Sequence, residues 1–269
     1  MLSRLSEIII KDTDGNIVRT FNTEEIEVKE TNVVKASLPS KSTSVLKVNK
    51  GYNEFLWDMY SESPYKLEGD KLTAGLSGPM VVPGNYDVEL QITNKSKTTT
   101  LNTSIKLLKD PRVSATENDF DAQYSLLQKV NDKISELHKS VETIRKNQTE
   151  ISDWISRSDN SNNYEEINEI GTNLITKLNE IEKLLVFTDY KGARDRLNNP
   201  VVLNVKLASL IPVIDSADFK PTDQSYGVYT EVSEEIDQQL DKLKSMQESD
   251  LVDFQDLVSK NNIPGLKSL

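Results

Sequence analysis

Two hydrophobic periods divide this chain and predict a multidomain protein, all-β in its first part and all-α in its second. Residues 1–110 contain short β-branched runs alternating apolar and polar side chains, punctuated by Gly, Pro and Asp turn signals. Residues 111–269 contain long stretches whose apolar positions recur every three or four residues. At 269 residues the chain can bury two ordinary cores.

The strand reading begins with Leu5 to Lys11 (LSEIIIK) and Asn16 to Phe21 (NIVRTF), joined by Asp12-Thr13-Asp14-Gly15. Asp-Gly between two β-branched runs predicts a hairpin, because Gly accepts the positive φ that a tight turn imposes. The same DTDGN resembles the start of a calcium loop. It lacks the further oxygen ligands and the bidentate Glu that such a loop requires, so a turn is the better reading. Residues 22–42 are polar and predict a loop or weak edge segment. Strands are expected again at Ser44–Val48 and at Gly51–Asp58, where period-2 spacing puts Phe55 and Trp57 on one inward face. A loop with Pro64, Gly69, Gly75 and Gly78 follows. After the Pro83-Gly84 turn, Tyr86, Val88, Leu90 and Ile92 alternate with polar residues. A last strand is expected over about Thr98 to Leu108, alternating through Leu101, Thr103, Ile105 and Leu107. Six or so short strands predict a β-sandwich of immunoglobulin or fibronectin III type over 1–110.

Ser114-Ala115-Thr116-Glu117 has the form of a capping box and should open the first helix. Leu127, Val130, Ile134, Leu137, Val141, Ile144, Gln148, Ile151 and Ile155 then follow steps of three and four, a heptad seam. An unbroken helix of roughly 40 residues would be about 60 Å long. A second helix is expected from Tyr164 to Phe187, with Ile167, Ile170, Leu174, Leu178, Ile181 and Leu185 inward. A third should cover Val201 to Asp215. Pro221-Thr222 should open a fourth near Asp223 to Glu248, with Tyr226, Tyr229, Val232, Ile236, Leu240 and Leu243 on one side. A short fifth is expected over Leu251 to Lys260. Single apolar stripes and short connections predict an antiparallel bundle over 111–269. No repeat at solenoid or propeller periods is present.

The formal charge is −11, and residues 1–113 hold 15 basic and 15 acidic side chains, so the whole excess falls on residues 114–269. An acidic half repels phosphate backbones and anionic lipid, which argues against nucleic-acid and membrane-surface partners. Solvated helix faces account for most of that excess. The absence of cysteine excludes disulfides and thiolate metal sites and leaves the compartment open. MLSRLSEIII is not a signal peptide, and Val201 to Ile214 is too short and too interrupted to span a bilayer, so a soluble chain is expected.

No catalytic constellation is visible, and no catalytic, cofactor-binding or metal-binding residues are predicted. The single histidine, His138, flanks the seam residue Leu137 and has no partner at ligand spacing, so a satisfied or solvent-facing imidazole is expected. Walker, Rossmann, nucleophile-elbow and HExxH patterns are missing. Carboxylate pairs are inevitable with 43 acidic residues and identify nothing by number alone. Trp57 reads as core and Trp154 as packing at a bundle end. Lys191, Arg194 and Arg196 form a small basic cluster in an acidic half, which neutralises adjacent helix ends or clamps an acidic surface.

The segments IIIKDTDGNIVRTF, GYNEFLWD and VVPGNYDVEL together resemble the immunoglobulin-like domain of flagellar hook-capping proteins and related fibronectin-type modules. With Asp110-Pro111-Arg112, ISELHKSVETIR and RLNNPVVLNVKLASLIPVIDSADFKPTDQSYGVY added, nearly the whole chain is similar to the C-terminal region of microbial sortilin-like, BNR-repeat propeller proteins. Those proteins are often labelled glycosyl hydrolases and are often exported. This chain starts where the propeller would have ended, so no propeller site can be carried over. The resemblance implies a non-catalytic accessory tail that packs on a β-propeller, on another protein or on a second copy of itself. Two rival expectations follow. A glycan-processing enzyme requires a deep pocket with two perturbed carboxylates and nearby aromatics. A carbohydrate-binding sandwich requires Tyr52, Tyr60 and Tyr65 to face outward together.

Overall fold

The computed structural model describes residues 5–23, 46, 48, 51–94, 97–159, 161–188 and 201–261. These form a small four-stranded antiparallel sheet followed by helices. Two compact units are present, interleaved along the chain. The first comprises residues 1–64, 75–131 and 211–226, the second 65–74, 132–210 and 227–269.

In the first unit, β1 (Leu5–Lys11) and β2 (Ile17–Asn22) make the expected hairpin, with Gly15 at φ +83°. Asp12 accepts the backbone N–H groups of Asp14 and Asn16 and the Asn16 side chain, which makes DTDGN a self-contained Asx turn. β3 (Gly84–Asn94) and β4 (Lys97–Leu107) form a second hairpin, and β1 pairs antiparallel with β3 to join the two hairpins in the order β2-β1-β3-β4. Ile10, Val18, Phe21, Leu46, Val81 and Tyr86 form the core on this sheet, with Trp57 and Tyr124 packed against it.

Three strand expectations need correction. Gly51–Asp58 is not a strand, although its aromatics do reach the core: Phe55 meets Phe21 at a tilt with ring centres 4.6 Å apart, and Trp57 meets Tyr86 edge-on at 5.6 Å. Trp57 Nε1 donates to the Tyr60 carbonyl at 3.0 Å, so the indole is fixed by its own chain turning back rather than by a sheet partner. Phe55 is itself partly exposed, as an irregular segment need not turn alternate side chains inward. In Ser44–Val48, Leu46 and Val48 are not in a strand, and the other three residues lie outside the described set, as does nearly all of the loop expected at 22–42. In β4 only Ile105 and Leu107 are partly covered, and Leu101 is exposed.

The helix α1 (Glu117–Arg157) is continuous over 41 residues, the first part to Asn131 in the first unit and the rest in the second. Its capping box sits two residues later than the sequence suggests. The Thr116 N–H and hydroxyl both donate to Asp119 Oδ2, at 2.8 and 2.7 Å, and the Asp119 N–H returns to Thr116 Oγ1 at 3.3 Å. Glu117 opens the helix as its first residue, and Ser114 lies too far before it to act as the cap. The seam is buried from Leu127 to Ile151, with Gln148 and Ile155 half-buried. Gln148 spends its amide on Asn179 at 3.1 Å.

In the second unit, α2 (Tyr164–Leu185) buries Ile167, Gly171, Leu174, Leu178, Ile181 and Leu185. Gly171 takes the inward position expected of Ile170, because a Cβ there would lie 2.7 Å from Ile155 Cδ1 and 3.1 Å from Ile151 Cγ2. The third expected helix is two: α3 (Leu203–Ala208) and α4 (Ile211–Ile214). Pro212 has no N–H to give the Ala208 carbonyl, so the helix cannot run through. α5 (Asp223–Glu248) and α6 (Asp250–Lys260) fall where expected. On α5 the covered face holds Val232, Ile236, Leu243 and Met246, with Gln239 more deeply buried than Leu240.

Candidate functional site

Two features of the second unit bear on function: a buried polar cluster and an open apolar groove. The cluster is built where Tyr65–Ala74, expected to be only a loop, runs along one side of α1. Ser135, His138, Glu142 and Arg145 recur on that helix at spacings of three and four, so they share a face. The Tyr65 N–H donates to Ser135 Oγ at 2.9 Å and its hydroxyl to Glu142 at 2.6 Å, while Lys139 Nζ lies 5.7 Å from its ring. The Glu142 carboxylate pushes the Tyr65 phenol pKa up, since it accepts the proton that ionisation would remove. Arg145 donates to the Glu68 carbonyl at 3.0 Å and to Glu182 at 2.8 Å. Leu67 is buried between these anchors in sequence.

At the centre lie Asp70, Thr73, His138 and Asn204, exposed by 4%, 3%, 2% and 0%. Asp70 Oδ1 accepts the Leu72 N–H at 2.9 Å, and Oδ2 accepts Asn204 Nδ2 at 2.8 Å together with the Thr73 hydroxyl. His138 Nε2 stands 3.4 Å from the same Oδ2, and Nδ1 lies 2.6 Å from the Tyr65 carbonyl oxygen. Burial pushes the Asp70 carboxyl up. The hydrogen bonds from His138, Thr73 and the Leu72 N–H outweigh it and hold the pKa below the ordinary 3.8. Asp, His and a hydroxyl in contact resemble the parts of a nucleophilic triad. In a triad the hydroxyl gives its proton to the imidazole, and the carboxylate orients the imidazole from the other nitrogen. Here Thr73 gives its proton to Asp70, and the nitrogen remote from Asp70 is occupied by a backbone carbonyl. All four side chains are enclosed. The arrangement fastens Tyr65–Ala74 to α1 and α3.

His138 is therefore satisfied, as expected from its lack of ligand-spaced partners, and the seam-flanking position buries it. Asp70, Thr73 and Asn204 were not legible as its partners. They lie 68, 65 and 66 positions away, on a loop and on a short helix whose joint position no local pattern encodes. Among the described residues, no three His, Asp or Glu are placed to hold a metal ion. Lys191, Arg194 and Arg196 lie outside the described residues. Trp154 is half-buried, with the Arg157 guanidinium 5.1 Å from its ring centre. Tyr52 is exposed, Tyr60 is half-buried and paired by a bridge to Met80, and Tyr65 is committed to Glu142.

The groove runs along α2. Between α2 and α6 a hollow of about 520 Å³ has Ile170, Leu174, Phe254 and Leu257 as its apolar lining and Glu166, Asp253 and Asp256 at its rim. Between α2 and α5 a second hollow, of about 610 Å³, has Ile181, Leu184 and Met246 as its lining and Glu180 and Asp241 at its rim. The two share Lys177 and Asp250, which pair at 2.9 Å. The Lys177 and Ser249 hydrogen bonds lower the Asp250 pKa. Ile170 and Leu184, 38% and 51% exposed, are apolar residues of α2 left open on this side.

The sequence matches no family model, no curated protein and no solved structure. Among the described residues no helix is long and apolar enough to cross a membrane.

Proposed function

We propose that the chain is a non-catalytic interaction module that packs on a protein partner. The observation that carries this reading is the contrast between the two features of the second unit. The Asp70–His138 cluster is closed and turns its hydrogen bonds inward, whereas the groove along α2 leaves large apolar side chains open. Exposed apolar surface with a polar rim marks interaction sites more often than reaction centres. The four-stranded sheet and its core fit one face of an immunoglobulin or fibronectin III-like sandwich, and the helices fit an antiparallel bundle. A β-propeller partner is the specific form of this reading that the sequence resemblance to sortilin-like BNR-repeat proteins implies.

The test is capture from native lysate on the purified chain, followed by identification of the bound protein and reconstitution from two purified components. A complex that survives gel filtration supports the reading. Glycoside turnover by the purified chain, abolished by changing one carboxylate, would overturn it in favour of a glycan-processing enzyme.

A further inference from the structure

Resting on the interaction-module reading, we infer that the groove of α2 with α5 and α6 receives a basic amphipathic helix of the partner. The two hollows adjoin at the Lys177–Asp250 pair, and together they extend along α2 from Glu166 to Leu184. Eighteen residue-to-residue rises of about 1.5 Å make this span about 27 Å long, the length of a five-turn helix. Ile170 and Leu184 stand open along it, fourteen residues apart and so on one face of α2, above a floor made by the buried Leu174 and Ile181, and an opposing helix can seat its own apolar stripe on the exposed pair.

Charge selects the occupant. The walls hold six carboxylates, Glu166, Glu180, Asp241, Asp250, Asp253 and Asp256, against the three lysines Lys177, Lys242 and Lys260. Two of those lysines are already engaged, Lys177 with Asp250 at 2.9 Å and Lys242 with Gln239 at 3.2 Å. Among the described residues Asp250 is the one rim carboxylate held in an ion pair. A helix with leucines on one face and lysines or arginines beside them satisfies both the lining and the rim. Acidic helices are repelled, and a second copy of this chain is the wrong sign, since residues 114–269 carry the whole net charge of −11.

The probe is a fluorescently labelled 18-residue peptide with Leu at helical spacing and Lys on the remaining face, titrated with the full chain and followed by anisotropy. Two controls accompany it: a scrambled peptide of the same composition, and a counterpart with Glu in place of Lys. Two variants target the groove, Ile170→Lys with Leu184→Lys on its lining, and Glu180→Lys with Asp253→Lys and Asp256→Lys on its rim. All five positions are at least partly exposed, and circular dichroism checks that both variants fold. Saturable binding of the basic helix is expected, weakened by about tenfold or more in either variant and by added salt. The scrambled and acidic peptides should bind no better than the variants do.

Equal binding of the scrambled peptide would overturn the inference, as would unchanged binding by both variants or no binding to the wild type. A homodimer abolished by Leu184→Lys would overturn it in favour of self-association. Failure of the peptide beside a reconstituted partner complex would reject the groove and leave the module reading standing. Failure of both would reject the module as well.

Discussion

Asp70→Asn is the most informative single change, because it keeps shape and removes charge at the centre of the enclosed cluster. In the wild type both carboxylate oxygens are acceptors: Oδ1 takes the Leu72 N–H, and Oδ2 takes Asn204 Nδ2 and the Thr73 hydroxyl while facing His138. An amide offers one oxygen, so with that oxygen on the Leu72 N–H its NH₂ faces Asn204, Thr73 and His138, which must reorient to accept from it. The charge-assisted bonds become neutral ones. A hydrogen bond to a charged group contributes about 1.5–3 kcal/mol, and this is the expected loss of stability at neutral pH. Complete removal in Asp70→Ala should cost more, about 3–5 kcal/mol, by stranding every partner.

The pH dependence gives a second reading of the same bond set. Asp70 has a native pKa below the ordinary 3.8, so its charge stabilises the fold fully above that value and the contribution fades as pH falls through the native pKa. The gap between wild type and Asp70→Asn should therefore be constant near neutrality and close as the solution is acidified below 3.8. Urea unfolding at stepped pH, followed by Trp154 emission in a Trp57→Phe background, measures it, since Trp154 lies in the same unit as the cluster and Trp57 does not. A loss below about 0.5 kcal/mol, the scale of an ordinary surface change, would refute this account of the cluster. So would a gap that stays constant in acid.

Three further outcomes are expected. Gly171→Val should destabilise the second unit by about 1–3 kcal/mol through overpacking against Ile155 and Ile151. Adding Ile155→Ala should recover part of that loss, and a double-mutant cycle on urea midpoints reads the coupling. Ile167→Ala, at a fully buried site, should cost about 2–5 kcal/mol, while Ile170→Ala next along the same helix should cost under about 1 kcal/mol. Thr116→Ala should lower stability by about 1 kcal/mol and raise amide exchange in the first turn of α1, and Ser114→Ala should do neither, because the cap is Thr116.

These predictions also mark what the residues disclose unaided. Periodicity located α1, α2, α5 and α6 within a few residues and the strands that became β3 and β4, and turn chemistry located the β1–β2 hairpin, because each is governed by local spacing and turn residues. It misplaced the inward residue at 170, where a glycine permits a close approach that no hydrophobicity pattern announces. It also read Gly51–Asp58 as a strand, since alternation around Phe55 and Trp57 satisfies a core without requiring sheet hydrogen bonds. Asp70, Thr73 and Asn204 were illegible for a different reason. A polar residue in a loop looks the same whether it is solvated or enclosed, and its partners are set by tertiary contacts some 65 positions away. The groove was hidden likewise, because Leu184 belongs to no stripe until α5 and α6 are in place beside it.

The most direct measurement is a backbone amide chemical-shift map of the full chain, titrated with the Leu/Lys helical peptide. The account predicts shifts concentrated on α2 from Glu166 to Leu184 and on the facing stretches of α5 and α6, with the amides of Tyr65–Ala74 unmoved. Shifts centred on Tyr65–Ala74, or scattered over every acidic surface alike, would contradict it.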